Sequence, residues 1–142
     1  MNIKIALLLG FVAIGILYVL YLFVFIRSSK QVYIMDVDEF EKQMTATKEA
    51  LLIDVRTSRE FKKYHIEGAK NIDFLSYDFK KEIKKLDKSR PVMVYCHSGY
   101  RSKMVLPVFR RAGFKNLYEL DGGFMSWLKA GKPVEQQGFE KF

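Results

Sequence analysis

A single cysteine, Cys96, opens the run Cys96-His97-Ser98-Gly99-Tyr100-Arg101-Ser102, directly after the apolar stretch Val92-Met93-Val94-Tyr95. An isolated cysteine is commonly a small buried hydrophobe. Its neighbours here argue for chemistry instead. His97, Ser98, Gly99 and Arg101 do not suit a strand continuing into a core. Gly99 permits a tight turn with exposed amides, and Arg101 brings a permanent charge and a fork of donors. An apolar strand, a short loop and a following helix place the thiol at the carboxyl end of the strand. Loop amides and a helix start supply positive partial charge there, which favours an anionic sulfur. One loop thus offers a nucleophile and a cradle for an anion.

The elements that position this loop follow from periodicity. Asp36-Val37-Asp38-Glu39 has the form of a capping box and leads into a helix carrying Phe40 and Met44. Ala50-Leu51-Leu52-Ile53-Asp54-Val55 reads as a buried strand. Thr57 or Ser58 can cap a helix that holds Phe61 and Tyr64. Gly68-Ala69-Lys70-Asn71-Ile72 reads as a turn into a short extended segment, and residues 76–86 are helical by spacing. Pro91 sits where a strand start tolerates its missing N–H. A helix over 102–112 contains Pro107, which must kink it or sit where the bond is free, and Gly113 ends it. Asn116-Leu117-Tyr118-Glu119-Leu120 forms the next strand. Gly122-Gly123 then leads into a short helix with Trp127 and Leu128. Strands alternating with helices argue for a parallel sheet covered on both faces, with ligand sites at the strands' carboxyl ends.

The amino-terminal part is of another kind. Residues 5–26 contain no charged side chain. At about 1.5 Å per residue they are long enough to cross a hydrocarbon core of roughly 30 Å. A signal-peptide core runs about 7–15 residues and ends in a small-residue cleavage pattern, which 25–30 lacks. The expected organisation is a tail over 1–4, a transmembrane helix over 5–26, a linker over 27–31, a folded domain over 32–133 and a tail over 134–142. Lys and Arg are more numerous on the downstream side of the span, and a lone thiol suits a reducing compartment. The domain is therefore expected in the cytoplasm.

The net charge is +8. The basic excess persists when Lys4, Arg27 and Lys30 are set aside, but it forms no arginine–aromatic array. Lys80, Lys81, Lys84 and Lys85 alternate with Phe79, Ile83 and Leu86 as on the solvated face of an amphipathic helix. Anionic lipid headgroups fit this excess better than nucleic acid does. Cys96, His65 and His97 do not have the spacing of a zinc ligand set.

Asp54-Val55-Arg56, Glu60-Phe61, His65-Ile66-Glu67-Gly68-Ala69-Lys70-Asn71-Ile72, the Cys96–Ser102 run, Asp121-Gly122-Gly123 and Trp127 together resemble a rhodanese domain. The resemblance extends over about residues 32–132 and rests on five pieces in the family's order, the last being Asp121-Gly122-Gly123 with Trp127. It implies that Cys96 attacks the sulfane sulfur of thiosulfate or a persulfide donor and carries it as a persulfide. A thiol, a protein or cyanide would then remove it. The amides of His97, Ser98, Gly99, Tyr100, Arg101 and Ser102 would hold the anionic persulfide, and no metal or organic cofactor is implied. Arg101 would bind an anionic donor or anchor the loop. His97 would face solvent or help hold the thiolate. Asp54, Arg56 and Glu60 would support the loop as a buried or rim network, His65 would be structural and Trp127 core.

Two other readings compete. Cysteine phosphatases and arsenate reductases have five residues between cysteine and arginine, whereas four separate Cys96 from Arg101. The tighter loop suits one sulfur better than a tetrahedral phosphate. A tethered interaction or relay module without turnover of its own is the other, and the presence of the cysteine speaks against it.

Overall fold

Val92–Tyr95 is buried at every position, because this strand has a neighbour on each side and helices over both faces. It is the middle of a five-stranded sheet in a computed structural model that describes residues 2–27 and 31–136. The strands are β1 (Gln31–Met35), β2 (Leu51–Asp54), β3 (Lys70–Asn71), β4 (Val92–Tyr95) and β5 (Asn116–Leu120). They pair in the order β1-β5-β4-β2-β3, every pair parallel. The expected parallel α/β architecture is therefore the observed one. Its helices are α2 (Val37–Ala46), α3 (Ser58–Lys63), α4 (Phe79–Lys85), α5 (Tyr100–Ala112) and α6 (Gly123–Lys129).

Alternation along the strands divides the core in two. Val92, Val94 and Leu117 point into a cluster with Phe79 and Ile83 of α4 and Val105, Leu106 and Phe109 of α5. Met93, Tyr95 and Leu120 point the other way, to Phe40 of α2 and Phe124 and Trp127 of α6. Each buried apolar side chain of this size stabilises the fold by about 1.5–3 kcal/mol.

Caps fix the helix starts. The Asp36 carboxylate accepts from the Glu39 amide at 2.9 Å. Thr57, not Ser58, caps α3, in a reciprocal box with Glu60. Gly113 ends α5 at φ +108°, as its position suggested. α5 runs through Pro107, which lies on the exposed face, where water can satisfy the carbonyl that loses its partner.

Three elements differ from expectation. β1 was not foreseen, and it starts at Gln31, the last residue of the expected linker. It is an edge strand with exposed Tyr33 and Ile34, formed by the short apolar run over 32–35 between the polar residues at 27–31 and the Asp36 cap. α4 begins at Phe79 rather than at residue 76, because 76–78 form turns closed by the Asp73 and Ser76 carbonyls. α5 begins two residues earlier than expected, at Tyr100, since Gly99 takes the cap position.

Ahead of the sheet, α1 (Ile3–Arg27) contains a stretch, Ile3–Val24, with mean hydropathy 2.7 and none of its hydrophobic window buried. The expected linker residues 28–30 and tail residues 137–142 lie outside the described residues. Glu135, in the described part of the tail, pairs by backbone with His65 at 2.8 and 2.9 Å.

Candidate active site

Because all strands run the same way, the carboxyl ends of β2, β4 and β5 meet at one edge. β2 delivers Asp54-Val55-Arg56, β4 delivers Cys96, and β5 delivers Asp121-Gly122-Gly123. Cys96 is fully buried, with its sulfur turned to the helical layer of α4 and α5. The Gly99 N–H donates to Sγ at 3.1 Å, and the Ser102 hydroxyl lies 3.4 Å from it. Gly99 is at φ +87°, and the amides of Tyr100, Arg101 and Ser102 open α5. The first turn of a helix leaves such amides without intrahelical partners. Sulfur thus meets one N–H directly at the positive end of a helix.

The other side of the loop rests on α6. Phe124 N–H donates to the Cys96 carbonyl at 2.8 Å and Met125 N–H to the His97 carbonyl at 3.0 Å. The contact is close enough to require glycine. A Cβ on Gly123 would stand 2.6 Å from the Cys96 carbonyl oxygen and 2.8 Å from the Gly99 nitrogen, at φ +61°. This is the physical content of the Asp-Gly-Gly segment.

The expected supporting residues form two ion pairs. Arg56 is buried and holds both Asp54 oxygens, at 2.7 to 3.1 Å, while it donates to the Tyr64 carbonyl at 2.7 Å. Its guanidinium also lies 3.9 Å from the centre of the Phe124 ring. Asp54 and Arg56 therefore tie the end of β2 to α6. Arg101 makes a two-pronged pair with Glu60, 2.8 Å on each arm. Arg101, with the Thr57 hydroxyl and amide, holds the Glu60 carboxyl down to about 2. This arginine is engaged with α3 rather than free to meet an anion. His97 is half exposed and lies 3.9 Å from Glu60, and Ser98 and Tyr100 are exposed. A cleft of about 180 Å³ beside the loop is lined by Arg56, Glu60, Tyr64, His97, Phe124 and Met125, among others.

His65 is buried, with Nδ1 on the Phe61 carbonyl at 2.9 Å, and Trp127 is buried and donates to the Pro133 carbonyl. Both have the structural surroundings expected of them.

One residue at the site escaped the sequence reading. Glu119, on β5, is fully buried on the same face as Cys96, and its Oε1 accepts from Ser102 Oγ at 2.6 Å. A signal was available. A strand covered on both faces has no solvent side, so an acidic residue within it has to be buried.

A parallel α/β domain with a lone cysteine between the end of a central strand and a helix start, braced by a Gly-Gly turn, defines a class of cysteine-loop proteins. Within that class this chain belongs to the rhodanese-like family: the family's profile, described as the rhodanese-like domain, matches residues 36–130. It is a member of a family of sulfurtransferases. Its relatives include the thiosulfate sulfurtransferase GlpE of Shewanella oneidensis, 34% identical over 88 residues, which cover 62% of this chain and 85% of that protein. Another is the uncharacterized protein YqhL of Bacillus subtilis, 39% identical over 88 residues, covering 60% and 68%. Among solved structures, the Alr3790 protein from Anabaena superposes with a TM-score of 0.64 at 26% identity, covering 72% of this chain and 81% of that one. A rhodanese-related protein from Thermoplasma volcanium shares the fold, with a TM-score of 0.64 at 22% identity, covering 72% and 97%.

Proposed function

We propose that this protein is a membrane-anchored sulfurtransferase that moves sulfane sulfur from thiosulfate or a persulfide to a thiophilic acceptor, through a persulfide on Cys96. The observation that carries the reading is the setting of Sγ, with the Gly99 N–H at 3.1 Å at the start of α5. The Cys96 thiolate attacks the outer sulfur of thiosulfate. The S–S bond of the donor breaks, sulfite leaves with the electron pair, and Cys96–S–S⁻ forms. A nucleophilic acceptor, a thiolate or cyanide, then attacks the outer sulfur and releases the Cys96 thiolate. The charge on sulfur is the same before and after each step, so one fixed set of N–H donors serves both. The exposed rim of His97 and Ser98 has to yield for a donor to reach the buried sulfur.

Arg101 serves as an anchor of the loop on this reading, since both arms of its fork are taken by Glu60. The same pairing weighs against a phosphatase, which needs an arginine to grip the phosphate. The uninterrupted apolar length and exposed faces of α1 support a single membrane crossing. The distribution of Lys and Arg supports a cytoplasmic domain.

The test is mass spectrometry of the full chain in detergent after treatment with thiosulfate. The peptide containing Cys96 is expected to gain the mass of one sulfur atom. Cys96→Ser is expected to lose that adduct together with thiocyanate formation. Turnover retained by the Ser variant would refute the mechanism.

A further inference from the structure

Glu119 is a buried carboxylate for which the two transfer steps have no use. Its Oε2 has no hydrogen-bond partner among the described residues, and its Oε1 has Ser102. A charge placed so is costly unless it is compensated. The charged groups around it compensate little. Lys103, on α5, has its ammonium on Asp121 at 2.6 Å, and Asp121, at the end of β5, adds repulsion. Neighbouring strands β1 and β4 bring no charged side chain, and the loop brings Cys96. Burial accordingly pushes the Glu119 carboxyl up to about 7, with Asp121 reinforcing the rise and Ser102 and Lys103 opposing it.

The Ser102 hydroxyl has three neighbours and one proton: Glu119 Oε1 at 2.6 Å, the Gly99 carbonyl at 3.1 Å and Cys96 Sγ at 3.4 Å. When Glu119 is ionised, the hydroxyl proton goes to the carboxylate. The lone pairs of Ser102 then face the sulfur, which suits a protonated thiol. When Glu119 is protonated, the acid donates to Ser102, and the hydroxyl proton is free to point at the sulfur, which suits an anion.

We propose that Glu119 is a positioning residue for Cys96 that acts through Ser102: it receives the thiol proton when the thiolate forms, and then holds Ser102 as a donor to the sulfur anion. The proposal rests on the sulfur-transfer reading above. In the proton step the S–H bond breaks and the proton passes to Ser102 Oγ. The hydroxyl proton of Ser102 passes to Glu119 Oε1, and the electron pair stays on sulfur. One negative charge moves from the carboxylate to the sulfur, where the Gly99 N–H meets it. Throughout this transfer the buried region holds a single negative charge, and no further reactant is consumed.

Two sites exchanging one proton titrate as a pair, with two macroscopic steps. The experiment is the ultraviolet thiolate absorbance of the full chain in detergent, read against pH below the range where tyrosine ionises. Cys96 is the only cysteine, so the signal belongs to it. The expected result is a thiolate that appears in two steps in the unmutated protein and in one step in Glu119→Gln, which cannot accept the proton. A single step in the unmutated protein overturns the proposal, and so do two steps persisting in Glu119→Gln. A single step in the unmutated protein decides against the proposal whether or not the Gln variant folds, and two steps are assigned to Glu119 by their loss in the variant. Sulfur loading from thiosulfate is measured on the same samples. An adduct with a one-step titration removes the relay and leaves sulfur transfer standing, whereas a two-step titration without an adduct removes sulfur transfer alone.

Discussion

Two glutamates flank the cysteine loop, and their surroundings drive them in opposite directions. Glu60 is held down to about 2, chiefly by the Arg101 hydrogen bonds. Its contribution to stability is complete above the ordinary carboxylate range and is lost as pH falls through its folded value. Glu119 is raised to about 7 by burial. The folded state is favoured most while that carboxyl is protonated, and it loses this advantage as pH rises from the carboxylate range to about 7. A neutral amide in its place escapes the loss. Glu119→Gln is therefore expected to gain on the unmutated protein by on the order of 3 kcal/mol across that interval, with no further gain above it. Urea unfolding followed by the fluorescence of Trp127, the single tryptophan, measures the difference. A difference that stays constant with pH would contradict the assignment of the shift to Glu119. Cys96 and its loop were legible from residue types alone, because Gly99 and Arg101 are out of place in a strand. Glu119 is harder to see, since a glutamate between Tyr118 and Leu120 looks like ordinary alternation, and only the two-sided cover of a parallel sheet marks it as buried.

The loop is an agreement between two helix starts. α5 presents its free amides on the sulfur side, and α6 donates to the carbonyls of Cys96 and His97 from the opposite side. Gly123 lets them approach. Gly123→Ala would place a methyl group within 2.6 Å of the Cys96 carbonyl oxygen. It would also force an L-residue into the left-handed region, at about 1–2 kcal/mol before any clash is counted. The variant is expected to lose on the order of 3 kcal/mol of stability and most of its sulfur loading. An alanine variant with unaltered urea midpoint and adduct yield would show that the loop does not depend on this contact. Elements with strong punctuation were read well from the sequence: Asp36 caps one helix, and Gly113 stops another. Boundaries failed where backbone turns replaced caps, at 76–78, and where an apolar run of only four residues formed an edge strand, at 32–35.

For the molecule as a whole, the sheet order puts three strand ends beside one cysteine, while the apolar helix α1 stands apart in composition. The alternation of strands and helices made the fold class legible. The proposed anchoring of the chain is a matter of solubility, and it has its own test. The full chain is expected to stay with the membrane through an alkaline carbonate wash and to enter solution only with detergent. Protease added to inverted vesicles is expected to digest the domain over 31–136. Release by carbonate would refute the anchor, and protection in inverted vesicles would refute the cytoplasmic placement.

α1 ends at Arg27 and β1 starts at Gln31. Four peptide steps at up to 3.6 Å allow the two no more than about 14 Å of separation. If α1 is seated in a bilayer, as proposed, a domain on so short a leash searches for its partners in a plane rather than in a volume. Sulfur loaded on Cys96 would then be delivered preferentially to acceptors that are themselves at the bilayer surface. The leash would decide who receives the sulfur, and the loop only that it can be given.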